Sequence, residues 1–190
     1  MPNWCQTSYT IEGNPLEITT FVHLLKELEQ TADSAATQDY GRLRMEDVVT
    51  KLGGDSSVIY CRGKITDFQE RRGLLLLDAE SAWIEMVEWR HFIASRFPSF
   101  RFYYVAEESG NALYLTNDRE GKYYHDRYFL DDIEGGSRYF ETLQEACEYV
   151  STLTGRSVSN VNAIKNAIAE YCDQEGYDDI SFYEFRITFD

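Results

Sequence analysis

The sequence predicts an α+β fold: a ferredoxin-like βαββαβ core with an antiparallel sheet, extended by a hairpin, two helices and a C-terminal strand. Three observations predict it. Apolar residues alternate in some segments and recur at helical spacing in others. Up to residue 109 these segments follow the order strand, helix, strand, strand, helix, strand. Aromatic residues make up 15% of the chain, with Tyr 14 and Phe 11, and sheets favour those types.

The first strand covers residues 4–12, where Cys5, Tyr9 and Ile11 alternate with Trp4, Gln6, Ser8 and Thr10. Asn14 and Pro15 suit the cap and first position of a helix, and Glu17 completes a capping-box pattern. That helix carries Phe21, Leu24, Leu25 and Leu28 on one stripe and runs to about residue 31. Residues 32–57 read as an insertion, mobile in its first part, with a short helix over 44–52 closed by Gly53-Gly54. Two strands follow, the first with Ile59, Cys61, Gly63 and Ile65 on one face. The second holds the apolar run Leu74-Leu75-Leu76-Leu77 of a central strand, beyond a charged turn at residues 69–73. Trp89, Phe92, Ile93 and Phe97 mark the second helix, stopped at Pro98, and residues 100–106 form the next strand.

Beyond residue 109 the same sheet is expected to continue. Residues 112–116 and 122–130 read as a hairpin, and Thr142 with Glu145 as a capping box opening a helix to Gly155. A further helix begins near Ser157 or Ser159. A last strand over 180–189 directs Tyr183, Phe185, Ile187 and Phe189 inward. Residues 1–190 are thus read as a single α+β domain, with 1–109 as the core and 110–190 as its extension.

The chain holds 18 basic and 33 acidic side chains, a net charge of −15. Both halves share the excess, at −6 for residues 1–109 and −9 for 110–190. Such a balance opposes phosphate backbones and anionic membranes, so nucleic acid and membrane partners are disfavoured. No apolar stretch is long enough to span a bilayer and no leader is read at the start, so the expected location is cytoplasmic. Cys5, Cys61, Cys147 and Cys172 are too widely spaced for a metal or redox motif and fall on apolar faces, where free thiols pack as core.

Chemistry-bearing patterns are sparse. His23, His91 and His125 have no second ligand at metal spacing, and no phosphate loop, dinucleotide fingerprint or nucleophile elbow is present. No catalytic residue, metal or cofactor is therefore assigned. The binding candidates are Trp83, Glu107, Glu108, Tyr123, Tyr124 and His125. Glu107 and Glu108 end a strand and point to opposite faces, which keeps them from sharing one site unless the strand bulges. Tyr123, Tyr124 and His125 lie in a tyrosine-rich stretch with Arg127 and acidic flanks, a composition suited to protein interfaces.

The opening Met1-Pro2-Asn3-Trp4-Cys5 and the stretch Leu77-Asp78-Ala79-Glu80-Ser81-Ala82-Trp83 resemble a family of uncharacterised phage and bacterial proteins. Phe97-Pro98, a Phe/Tyr strand and Glu107-Glu108-Ser109-Gly110 continue that likeness, which covers residues 1–13 and about 74–130. Family members often follow Ala-Trp with Ser-Pro-Pro, where this chain has Ile84-Glu85-Met86. The resemblance implies a ferredoxin-like domain and no established activity. Trp4, Cys5 and Trp83 are expected to anchor layers of the core, since buried aromatics dominate packing.

The expected function is a non-enzymatic binding or protein-interaction module with a protein partner; the oligomeric state is left open. The alternatives are an enzyme with a dispersed site, pairing Glu107 or Glu108 with His125 or Tyr124, and an acidic mimic of DNA.

Overall fold

The computed structural model describes residues 3–34, 43–132, 136–176 and 180–189. The fold is α+β, with five α-helices among the described residues and mostly antiparallel sheet. The chain gathers into two compact units, one up to Asp118 and one from Arg119 to Phe189. Each has its own buried core.

The first unit runs β1 (Trp4–Glu12), α1 (Pro15–Ser34), β2 (Leu43–Arg44), α2 (Met45–Lys51), β3 (Gly63–Arg71), β4 (Leu74–Ala82), α3 (Val87–Arg96), β5 (Arg101–Glu108) and β6 (Leu113–Thr116). Its strands lie in the order β6-β5-β1-β4-β3-β2, and each of these pairings is antiparallel. β4 is central, as its leucine run requires. β3 and β4 meet at Arg72-Gly73, both with positive φ (54° and 79°), the geometry of a tight hairpin turn that follows the sheet's twist. Glycine meets that demand at no steric cost.

Residues Ile18, Phe21 and Leu25 of α1, Val48 and Val49 of α2, and Trp89 and Ile93 of α3 share one core with the inner faces of β1, β4 and β5. The core is graded along its length. Phe21, Phe97, Phe100 and Phe102 fill one end, with Phe97 stacked on Phe100 at 4.9 Å. Cys5, Thr7, Tyr9, Ser81, Glu85, Arg90 and Glu108 are buried in the other.

Local signals are honoured with small substitutions of partner. The side chain of Asn14 accepts from the Leu16 N–H at 2.9 Å. Glu17, read as a capping-box acid, instead accepts from the backbone and hydroxyl of Ser99 at 3.2 and 2.7 Å. The tertiary donor is better placed than the helix's own end. Of the insertion, residues 35–42 lie outside the described residues; β2 and α2 fill its second part. Residues 59–62 precede β3, which begins only at Gly63.

The second unit comprises β7 (Tyr128–Asp132), β8 (Arg138–Phe140), α4 (Leu143–Thr154), α5 (Val161–Glu175), β9 (Ile180–Glu184) and the two-residue β10 (Arg186–Ile187). Its sheet has the order β8-β7-β9. The capping box of Thr142 and Glu145 is present in full, and Asn160 caps α5 by accepting from Ala163 N–H at 2.9 Å. Leu130, Phe140, Ala146, Val150, Ile164, Ile168 and Phe182 are its core.

The expected hairpin of 112–116 with 122–130 does not form, so β7, β8 and β9 do not extend the sheet of the first unit as predicted. β6 pairs with β5 across the short turn Ser109–Asn111, and β7 pairs with β8 and β9. Residues 122–127 are irregular because the Arg127 guanidinium holds them, donating to the carbonyls of Tyr124 and Asp126 at 2.8 and 3.0 Å. The last strand also departs from simple alternation. It breaks at Phe185, whose N–H donates to the Arg127 carbonyl; Phe182 and Phe185 are buried while Phe189 is exposed.

Leu77 sits fully inside the first core. Leu77→Ala should cost about 3 kcal/mol of unfolding free energy, the usual toll of a leucine-sized cavity, read by urea denaturation. Thr142→Ala should cost about 1 kcal/mol through loss of the cap.

Candidate functional site

The polar end of the first core is organised by three side chains. Glu85, in the segment joining β4 to α3, is 4% exposed, as is Arg90 in α3. Arg90 Nε donates to Glu85 Oε1 at 2.9 Å, and the Tyr9 hydroxyl donates to the same oxygen at 2.9 Å. The guanidinium lies over the Tyr104 ring, 5.1 Å from its centroid. A buried carboxylate is tolerated only when paired and hydrogen-bonded, and Glu85 has both kinds of partner.

This environment favours neutral forms of its other ionisable groups. Burial and the Glu85 carboxylate hold the Tyr9 hydroxyl protonated well beyond the ordinary tyrosine range. Burial pushes the Cys5 thiol up to about 11 against the pull of its Thr7 contact, and the carboxylates of Glu85 and Glu108 add to the rise. Cys5 is therefore a packed thiol rather than a nucleophile.

The pairing of Glu85 with Arg90 fixes the segment around it. The Ser81 hydroxyl donates to the Ile84 carbonyl at 2.8 Å, and the Trp83 N–H donates to the Asn3 carbonyl at 2.9 Å. Between these ties Trp83 adopts φ 73°, a left-handed conformation uncommon for a bulky residue and costing about 1 kcal/mol or more. Its side chain is 46% exposed, and Trp4, paired with Ala82 next to it, is 37% exposed. The expectation that Trp4 and Trp83 anchor layers of the core is thus corrected; only Cys5 of the three is buried. Trp4 occupies the sheet face opposite Cys5, away from the helices, and Trp83 lies past the end of β4 in a turn.

Exposed apolar side chains recur on these and the adjoining segments, and we group them as an apolar band. Seven large apolar side chains of the first unit are exposed among its described residues. Six of them, Trp4, Val58, Tyr60, Trp83, Ile84 and Val87, sit on three segments tied to one another. Trp83 bonds to Asn3 as above, and the Tyr60 N–H donates to the Glu88 carboxylate at 2.7 Å, one residue after Val87. Single exposed apolar residues are ordinary, whereas a grouped set is a candidate binding surface.

The other sequence candidates fare differently. Glu108 is 2% exposed and accepts from Gly110 N–H, Asn111 N–H and the Asn111 amide at 2.8, 3.0 and 2.7 Å. Its carboxylate is committed to capping the β5–β6 turn. Gly110 is required there, because a Cβ would stand 2.5 Å from the Asn3 amide and 2.8 Å from Glu108. Glu107 lies on the opposite face of β5 and is half-buried, opposite Gln6 and Tyr114. Tyr123, Tyr124 and His125 belong to the second unit. Lys122 covers the Tyr123 ring at 5.2 Å, Tyr124 supplies its carbonyl to Arg127, and His125 is exposed. The turn that Glu108 caps meets Asn3, whose carbonyl accepts from the Trp83 N–H.

Sequence reasoning missed Glu85, Arg90, Tyr60, Ile84 and Val87. A signal was available for the pair: Glu85 and Arg90 are acid and base on a segment otherwise carrying Met86, Trp89 and Ile93 inward. Among the described residues no group of three or more His, Cys, Asp or Glu is arranged to hold a metal ion, and no helix is long and apolar enough to cross a membrane. The chain matches no family model, no curated protein and no solved structure.

Glu85→Ala removes the carboxylate that pairs with the buried Arg90 guanidinium and should destabilise the first unit by about 3–5 kcal/mol in urea denaturation. Trp83→Gly relieves the left-handed strain, so stability should hold or rise by up to about 1 kcal/mol; a clear loss would assign Trp83 to packing. The raised Cys5 and Tyr9 groups bind protons more tightly folded than unfolded. Their contribution is complete below the unfolded thiol value of 9.0 and falls as pH rises through about 11. Stability followed across that window should decline, and less steeply in Cys5→Ala.

Proposed function

We propose that the protein is a protein-interaction module whose contact surface is the band of Trp4, Trp83, Ile84 and Val87 with Tyr60 and Val58. The observation that carries this reading is the exposed Trp83 in a left-handed backbone. A residue with a bulky side chain gains nothing in packing from that conformation, yet hydrogen bonds on both sides and the buried Glu85–Arg90 pair hold it there. Strain retained at an exposed aromatic is typical of binding surfaces, where Trp and Tyr supply most of the affinity. The partner is a protein: the net charge of −15 repels phosphate backbones and anionic membrane surfaces.

The same reading covers the fold. The strand order β5-β1-β4-β3 with antiparallel pairing and the two helices α1 and α3 packed in one core support a ferredoxin-like βαββαβ arrangement, with β2 and α2 as the insertion. The Met1-Pro2-Asn3-Trp4-Cys5 opening supports a place in the phage and bacterial family of that motif, and hence a cytoplasmic setting. In this reading the family's Ala-Trp is the residue that displays the band.

A photo-reactive benzophenone amino acid placed at position 83, and for comparison at the exposed Leu16, tests the function. Expected is a discrete adduct in cell extract from position 83 alone. Its protein component, once purified, should bind the full chain and lose at least about tenfold in affinity against Trp83→Ala, since a central Trp contributes 2 kcal/mol or more. Equal labelling from both positions, or unchanged affinity for Trp83→Ala, would overturn the proposal.

A further inference from the structure

We infer that the partner segment docking on this band is cationic, setting Arg or Lys side chains beside apolar ones. The inference rests on the interaction reading above and adds the partner's chemistry. Several carboxylates of the first unit are neutralised within it. Glu85 is paired with Arg90, Glu80 with Lys64 at 2.8 Å, and Glu46 with Arg44. Two carboxylates on the band's own segments, Asp55 and Glu88, have no basic side chain in an ion pair with them among the described residues. The Ser57 hydroxyl and N–H hold the Asp55 carboxyl below the ordinary range, so it stays charged. Glu88 accepts the Tyr60 N–H and retains further acceptor capacity on its carboxylate. Besides the buried Arg90, which is bound to Glu85, these segments carry the basic side chain Arg62.

The band ends in a recess of about 260 Å³ whose lining includes Ser57, Val58, Tyr60, Arg62 and Glu88. It is smaller than ordinary small-molecule sites and suits a single inserted side chain. An aromatic ring beside a carboxylate attracts a guanidinium or ammonium through cation–π contact and a charge-assisted hydrogen bond together. The unit's interior shows the arrangement completed: Arg90 is bound to Glu85 and lies over Tyr104. On the surface Tyr60 and Glu88 line the same recess, and the Tyr60 N–H holds the Glu88 carboxylate there. At longer range, residues 1–118 carry 18 acidic and 11 basic side chains, a field that accelerates encounter with a basic partner.

The test is a selection from a random twelve-residue peptide library displayed on phage, using the full chain as bait. Enriched peptides are synthesised and titrated against the wild type, Trp83→Ala and Glu88→Gln, at low and high sodium chloride. Circular dichroism checks that each variant is folded. Expected are peptides with Arg or Lys next to Leu, Ile or aromatic residues. Their affinity should fall about tenfold or more for Trp83→Ala, several-fold for Glu88→Gln, and several-fold on raising salt, with the salt effect smaller in Glu88→Gln. Neutral or acidic winners that still require Trp83 would overturn the cationic partner and leave the interaction surface standing. Winners indifferent to Trp83→Ala, or no enrichment at all, would overturn both.

Discussion

The first unit depends on the contact of Glu85 with Arg90 and Tyr9. A carboxylate and a guanidinium are each costly to remove from water, and their pairing, with the Tyr9 hydroxyl on Glu85 and the Tyr104 ring under Arg90, offsets that cost. Their shared geometry positions the start of α3 against β1. It also fixes the short segment between β4 and α3, so that Ile84 and Val87 flank the buried Glu85-Met86 from outside. The internal ion pair and the external apolar band are two sides of one turn.

That contact also explains the grading of the core. The phenylalanines at one end are held by non-directional packing and would tolerate volume-conserving exchange. The end bearing Cys5, Tyr9, Ser81, Glu85 and Glu108 is held by directed hydrogen bonds, where removing one member leaves another unsatisfied. Trp89 Nε1 is buried there without a hydrogen-bond partner, an unmet donor in an otherwise paired region. The proposed contact surface is built on the segments that close this end, where hydrogen bonds specify the geometry.

The second unit is built differently. Its helices are set by local caps at Thr142 and Asn160, and its small sheet is edged by an irregular loop that Arg127 stitches through backbone carbonyls. The tyrosines of that loop looked like interface residues in composition. In place, Lys122 lies over the Tyr123 ring and the Tyr124 carbonyl accepts from Arg127.

The sequence by itself determined the elements: the alternation of β1, the helical stripes of α1 and α3, the leucine run of β4 and the capping box of α4 are all short-range patterns set by covalent periodicity. It also determined that Glu107 and Glu108 part company, since successive strand residues face opposite ways. Only the tertiary structure decided strand partners, because hydrogen-bonding edges do not encode which edge they meet; hence β6 on β5, and β7 between β8 and β9. It alone decided that Trp83 is displayed rather than buried. That outcome follows from a left-handed turn held by Asn3, some eighty residues away, and by the pairing of Glu85 with Arg90, and neither bond has a local signature at Trp83 itself.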